Sequence, residues 1–433
     1  MLAEKSTDAK PTHKRFVIIA LLCLITCLNY LDRANLAVAG TYLQRDLQLN
    51  AEMMGIVFSA FGWSYTFMQI PNGWLIERFS PYLLYGAAII GWSLFNGLIG
   101  VAGSLTMLVG FRLALGFFEA PAFPVNARIV AEWFPKKERG RAIGCYTAAE
   151  YIGLAFFTPV LAWIISMFSW REVFFATGFL GILVAVIWFA KYKSPEQYPG
   201  ISQAELRYIH DEKQEISAKR KISFREFKYF LSQRQLIGLY IGHFAVTSTL
   251  FFFMTWFPSY LVVERGLKIL QAGFFTSLPF IAAIVGVFVG GNFSDMLIRK
   301  GYSLNVARKW PVIAGLVLSA DIVLANYVDS IALVVLIMSL AFAGQGIAST
   351  VAWALLSDIA PQNSVGIVGS IFNFCANLGG TISPLAVGII ISRTGSFEIA
   401  LLFITIVALV GAASYIFIIG KPSRIPIYEE EQL

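Results

Sequence analysis

The sequence predicts an all-α membrane protein, with twelve transmembrane helices in two pseudo-symmetric six-helix bundles. Three observations predict it. Only 14% of the residues are charged against 57% hydrophobic, so the chain carries more apolar surface than one soluble core absorbs. Apolar runs of about 20 residues, the length that crosses a bilayer as a helix, recur along the whole chain. The loops of the first half also echo those of the second.

In chain order, the runs fall near 16–40, 52–75, 82–102, 105–128, 141–168 and 173–190, then near 235–260, 271–294, 309–328, 330–356, 365–391 and 397–420. The first is too long for the apolar core of a signal peptide and no cleavage site follows it, so it is expected to remain as helix one. Between the sixth and seventh lies a polar stretch with Pro195, Pro199, Gly200, Glu215, Lys219, Arg220 and Lys221, in which 203–213 is expected to form a short surface helix. The chain thus divides into an N-terminal bundle (1–190), a cytoplasmic linker (191–234) and a C-terminal bundle (235–433). Pro121, Pro124, Pro159 and Pro384 are expected to break helices locally, which membrane proteins tolerate where backbone lines a cavity.

The internal repeat is read from loops. Gly73-x-x-x-Glu77-Arg78 follows run two, and Gly291-x-x-x-Asp295, then Arg299 and Lys300, follows run eight. Pro135-x-x-x-x-Gly140 follows run four, and Pro361-x-x-x-x-Gly366 follows run ten. Matching loops at similar offsets point to a duplicated six-helix unit.

The net charge of +7 does not indicate a nucleic-acid partner, because the charges sit in short loops between apolar runs. With the N-terminus placed in the cytoplasm, 25 of the 33 Lys and Arg fall inside and five outside (Arg45, Arg171, Arg265, Lys268, Arg393). Arg33, Arg112 and Arg128 fall within spans. That asymmetry places both termini and the linker in the cytoplasm. Cys23, Cys27, Cys145 and Cys375 all lie in predicted spans, so neither a disulfide framework nor a metal site is expected. A phosphate-binding glycine loop with lysine, a zinc-protease helix motif and a nucleophile elbow are all missing, which argues against an ATP-driven pump or an enzyme.

Ionisable residues inside spans are costly and normally face a cavity or a partner. Asp32 and Arg33 lie in run one, Arg112 and Glu119 in run four, and Glu150 in run five. Arg112 and Glu119 are seven residues apart, close to two turns, so they share a helix face. Two readings stand. The charges are structural ion pairs joining helices one and four, or the acids carry protons and an arginine holds an anionic substrate. Glu77, Arg78, Asp295 and Arg299 sit at the cytoplasmic ends, where pairing between helices would latch one conformation, and are expected to gate. In the second half the candidates are uncharged: Thr350, Trp353 and Asn373, with Asn377 on the same helix face as Asn373. They serve ligand contact or interhelical hydrogen bonding. His243 is expected to pack, and His13 and His210 to be solvated.

At these residues the sequence resembles a known family. Asn29-Tyr30-Leu31-Asp32-Arg33-Ala34-Asn35-Leu36 is similar to the helix-one signature of the anion:cation symporters of the major facilitator superfamily. Phe58-Ser59-Ala60-Phe61-Gly62-Trp63, Gln69-Ile70-Pro71, Gly116-Phe117-Phe118-Glu119-Ala120-Pro121-Ala122-Phe123-Pro124 and Thr255-Trp256-Phe257-Pro258 extend the likeness over nearly the whole chain. It resembles most the bacterial sugar-acid permeases for galactonate and for glucarate/galactarate. The resemblance implies a major facilitator fold and proton-coupled import of an organic anion in the cell inner membrane. It implies proton coupling by Asp32 and Glu119, with Arg112 tuning the nearby acid. It implies substrate binding by Arg33, Tyr30, Tyr65, Thr350, Trp353 and Asn373. Glu150 stands where the galactonate carriers have glutamine, and an added acid there disfavours a two-carboxylate substrate. Ser80 stands where many facilitators carry glycine.

The reading is a sugar-acid/proton symporter that alternates between outward- and inward-open states, needs no cofactor and works as a monomer in the bilayer. A carrier for another small carboxylate is the nearest alternative. A non-transporting sensor is the alternative of another class, but the longest polar stretch is too short for an output domain.

Overall fold

The computed structural model describes residues 12–210, 224–361 and 364–426. Lys5, Lys10, Lys213, Glu215, Lys219, Arg220 and Lys221 lie outside them, as does the side chain of His210.

Among the described residues all regular structure is helical. The first half comprises α1 (Arg15–Asp46), α2 (Ala51–Arg78), α3 (Pro81–Ile99), α4 (Leu105–Glu119), α5 (Ala122–Trp133), α6 (Lys136–Met167) and α7 (Trp170–Lys191). Two short helices follow, α8 (Gln203–His210) and α9 (Phe224–Ser232). The second half comprises α10 (Arg234–Thr255), α11 (Phe257–Val263), α12 (Ile269–Arg299), α13 (Trp310–Ala320), α14 (Ile331–Ile359), α15 (Val365–Thr394) and α16 (Phe397–Ala413). Among the described residues eleven helical stretches are long and apolar enough to cross a membrane, and α2, 28 residues long, is a further long helix beside them. Helix starts use serine and asparagine caps: Asn50 accepts from Met53 N, Ser80 from Leu83 N and Ser104 from Met107 N. Ser80 therefore starts α3 where a glycine would leave the cap empty.

The prolines divide into two kinds. Pro121 parts α4 from α5, and Pro258 opens α11 after α10, because a proline brings no N–H to the preceding turn. Pro159 and Pro384, expected to break helices, instead lie inside α6 and α15, which run on through them. Both sit where the helix is pressed on a neighbour. The Trp256 indole donates to the Pro384 carbonyl at 3.0 Å, and Gly273 of α12 packs over Pro159.

The halves repeat one packing scheme. α1 packs on α6 and α7, as α10 packs on α15 and α16. α4 packs on α2 and α3, as α14 packs on α12 and α13, and α3 meets α7 as α13 meets α16. The linker helices dock separately. On α8, Glu205 is buried and accepts from the Thr12 hydroxyl, the Lys14 and Arg15 amides and the Arg15 guanidinium. On α9, Glu226 is buried and accepts from Ser364 at 3.0 Å.

The halves meet through α2 with α15, α6 with α12, and α1 with α11. The close approaches gather at one end, opposite the predicted cytoplasmic one. Gly55 faces Pro384 and Gly388, Ser59 donates to the Thr381 carbonyl at 2.8 Å, Gly62 abuts Thr381, and Gly273 abuts Ala162. Phe58 meets Trp256 edge-on at 5.3 Å. At the other end Gly73 of α2, Gly140 and Gly144 of α6 and Gly366 of α15 face open space, with nothing within 4 Å of where a Cβ would stand. The space between the halves therefore opens toward the end predicted to be cytoplasmic.

Candidate functional site

α1 runs through the middle of the first half, buried on most faces, so its polar run at 29–35 is enclosed by protein. The break at Pro121 ends α4 at Glu119, directly opposite Arg33. Arg33 Nε donates to Glu119 Oε1 at 2.6 Å, and a second guanidinium nitrogen pairs with the same oxygen. The pair is desolvated: Glu119 has no exposure and the Arg33 side chain 9%. Glu119 Oε2 has no hydrogen-bond partner among the described residues.

Aromatic rings hold the arginines. The Arg33 guanidinium lies 4.6 Å from the Tyr30 ring centre, 5.0 Å from Phe61 and 5.2 Å from Tyr65. Arg112 lies 4.9 Å from the Phe61 ring, so the two cations share it. Arg112 is buried with Nε and one terminal nitrogen unpartnered among the described residues. Glu150, from α6, lies near Tyr30 and Arg33. Asp32 is fully buried and accepts from Asn96 at 2.8 Å.

The sequence-predicted residues of the first half are thus brought together: Arg33, Glu119, Tyr30, Tyr65, Arg112 and Glu150 around one guanidinium, with Asp32 beside Arg112 and Glu119. In the second half Trp353 keeps 39% exposure and meets Phe372 edge-on at 4.9 Å. His243 stacks on Phe372 at 3.9 Å, so it packs as expected, behind the tryptophan. Thr350 is half-buried one turn from Trp353 and faces Gly291 of α12. Asn373 is half-buried and its carbonyl accepts from Asn377, so the two asparagines bond along one helix. Asn96 and Thr177 are members that sequence reasoning did not single out, and Asn35 and Phe61 entered it only within the family motifs, with no role in the site. Asn96, polar in an apolar run, was the available signal.

The Major Facilitator Superfamily pattern matches residues 22–384. The chain belongs to that superfamily. It is 45% identical over 96% of its length to the D-galactonate transporter of Escherichia coli O6:H1 strain CFT073, of which it covers 98%. It is 41% identical over 99% of its length to a probable galactarate/D-glucarate transporter of Bacillus subtilis strain 168, of which it covers 97%. Among solved folds it superposes on a bacterial homolog of the human lysosomal transporter Spinster with TM-score 0.75 at 18% identity, over 94% of this chain and 97% of that one. A D-xylose–proton symporter gives 0.73 at 14% identity, over 94% and 98%.

In this superfamily member the residues expected to gate sit at the open end. Asp295 pairs with Arg308 at 2.7 Å, and Arg308 also pairs with Asp358 at 2.9 Å, all within the second half. Arg78 stacks on Trp74 of its own helix. Glu77 ends α2 beside it, and Arg299 ends α12. Arg308 and Asp358 escaped sequence reasoning because the residues that bond them lie 13 and 50 positions apart. Arg128, from α5, donates to the carbonyls of Ile76 and Phe79 and closes the end of α2 in the first half.

Proposed function

We propose that this chain imports a sugar acid together with protons by alternating access. The observation that carries the reading is the Arg33–Glu119 pair, a desolvated guanidinium whose partner is a titratable acid. A substrate carboxylate and Glu119 compete for the same planar fork. When Glu119 takes up a proton it surrenders Arg33, and the substrate carboxylate replaces it. Asp32 is the second proton-carrying acid, and Arg112 balances the two. Tyr30, Tyr65, Thr350, Trp353 and Asn373 meet the hydroxyls and the carbon face of the sugar acid from the two halves. Glu77, Arg78, Asp295 and Arg299 gate the open end.

On this reading the chain lies in the inner membrane as a monomer with both termini cytoplasmic, and divides into bundles at 1–190 and 235–433 joined by the linker. The identity to carriers named for D-galactonate and for galactarate/D-glucarate supports a sugar acid. Glu150, an added acid near Tyr30 and Arg33, favours one carboxylate over two. The test is uptake by purified, reconstituted protein of D-galactonate, D-gluconate, galactarate and D-glucarate under an imposed pH gradient. D-galactonate is expected to be accumulated most, and Glu150→Gln to raise the relative uptake of the two aldarates. Failure of all four acids to accumulate above their starting level would refute the substrate class.

A further inference from the structure

Asp32 is enclosed by residues that the substrate reading does not use. α3 and α7 approach backbone to backbone at Gly97 and Gly178, where a Cβ on Gly178 would lie 2.8 Å from the Gly97 Cα. That approach sets Asn96 beside Thr177, with Nδ2 donating to Oγ1 at 2.8 Å. α1 completes the group. Asn35 Nδ2 donates to Thr177 Oγ1 at 2.7 Å, and Asn96 Nδ2 donates to Asp32 Oδ1 at 2.8 Å. Asn35 Nδ2 reaches the same carboxylate oxygen, and Asn96 Oδ1, at 3.4 Å each. Every member is buried.

One hydroxyl sets the direction of these bonds. Thr177 has a single hydrogen and donates it to the Val173 carbonyl, 2.8 Å away and one turn back on α7. Toward the asparagines it acts only as an acceptor. Both amides therefore turn their NH2 groups inward, and the NH2 of Asn96 reaches Asp32 as well. An amide NH2 donates and does not accept, so a proton on Asp32 belongs on Oδ2, which has no hydrogen-bond partner among the described residues. Donors on Oδ1 favour the ionised carboxylate.

We propose that Asn96 and Thr177 are positioning residues that ready Asp32 to release its proton and so set the pH range of coupled transport. This rests on the reading of Asp32 as a coupling acid. The charged groups around Asp32 are Glu119 and Arg112, both from α4. The other charges of the cluster are Arg33, engaged by Glu119, and Glu150, which lies near Tyr30. α3 and α7 meet Asp32 with Asn96 and Thr177. The Thr177 and Asn96 variants below change none of the charged groups.

The test is the pH profile of proton-driven D-galactonate uptake in reconstituted full-length protein, for wild type, Thr177→Val, Thr177→Ser, Asn96→Ser and Asp32→Asn. Valine keeps threonine's shape and removes the acceptor. The midpoint is expected to move about one unit toward higher pH in Thr177→Val and Asn96→Ser, and to stay in place in Thr177→Ser. D-galactonate affinity at the acid end of the profile is expected to change less than about twofold, because neither residue meets the substrate. Asp32→Asn is expected to lose driven accumulation and keep substrate exchange. If Asp32→Asn uncouples while the midpoint of a folded Thr177→Val stays at the wild-type value, the proposal fails alone. If Asp32→Asn accumulates like wild type, the coupling-acid reading fails and takes the proposal with it. Should Thr177→Val not fold by thermal melt, the Asn96→Ser midpoint decides in the same way.

Discussion

Arg33 cannot give the same nitrogens to Glu119 and to a substrate carboxylate. The guanidinium is already engaged by Glu119, so an arriving carboxylate must displace it or wait until it is protonated. Arg33→Ala removes the fork and also leaves Glu119 buried without its partner. Loss of one member of a desolvated charge pair costs about 2–5 kcal/mol, so D-galactonate affinity is expected to fall at least about thirtyfold. Lysine at 33 restores the charge without the bidentate geometry, and partial recovery is expected. Glu119→Gln removes the competitor, and binding at neutral pH is expected to hold or tighten. Calorimetric titration of the three variants checks this. Wild-type affinity in Arg33→Ala would take the arginine out of the site. Of this cluster, Asp32, Arg33, Arg112, Glu119 and Glu150 were legible in the sequence, because an ionisable residue in an apolar run stands out. Their pairing was not, since spacing within one helix does not say which residue of another helix it faces. Phe61, on which both cations lie, reads in sequence as one more apolar residue of α2.

At the scale of helices, the close approaches between the halves recur in register. Gly55 of α2 contacts α15 at Gly388, and Gly273 of α12 contacts α6 at Ala162. Eighteen residues, or five helical turns, bring each helix back to the same face about 27 Å along its axis. Eighteen residues from Gly55 is Gly73, and from Gly273 is Gly291; eighteen back from Ala162 is Gly144, and from Gly388 is Ser370. Each helix of both interface pairs thus carries a second small residue at the open end, and Gly73 and Gly144 there face nothing. Small residues allow close helix approach in membranes, so these faces suit a closure of that end. Gly144→Leu is expected to slow D-galactonate transport at least tenfold while changing affinity less than about threefold, because it obstructs closing and leaves the site intact. Cysteines at 144 and 291 are expected to crosslink faster during turnover than in the resting protein. Equal crosslinking in both conditions would count against closure of this end. The span order, the repeat and the charged loops were legible because the bilayer imposes a length and loops carry the charge. Helix continuity was not. Pro159 and Pro384 read as breaks, but both helices run on through them where they pack on a neighbour, and Pro121 interrupts its helix as expected.

For the whole molecule, the charge of the site decides what drives transport. Asp32, Glu119, Arg33 and Arg112 sum to zero and Glu150 adds a further acid, so a bound sugar-acid monoanion adds uncompensated charge to the site unless protons arrive with it. With one proton the cycle moves no net charge and the membrane potential cannot drive it. With two it carries one positive charge inward, worth about 2.3 kcal/mol per 100 mV. The two acids have different partners: Arg33 holds Glu119, and Asn96 holds Asp32. Neither must give up its partner for the other to titrate, which suits two protons. Inward transport of D-galactonate is therefore expected to be electrogenic and faster in external acid. Glu119→Gln is expected to bind substrate yet fail to accumulate it, and the Asp32→Asn, Glu119→Gln double variant to give no proton-driven current. Current recording on a supported membrane of reconstituted protein, under an imposed pH gradient, checks all three. A normal proton-driven current from the double variant would remove both acids from coupling. An electroneutral wild-type cycle, with acid still accelerating uptake, would leave one of them as the net carrier and return the other to holding the arginines in place.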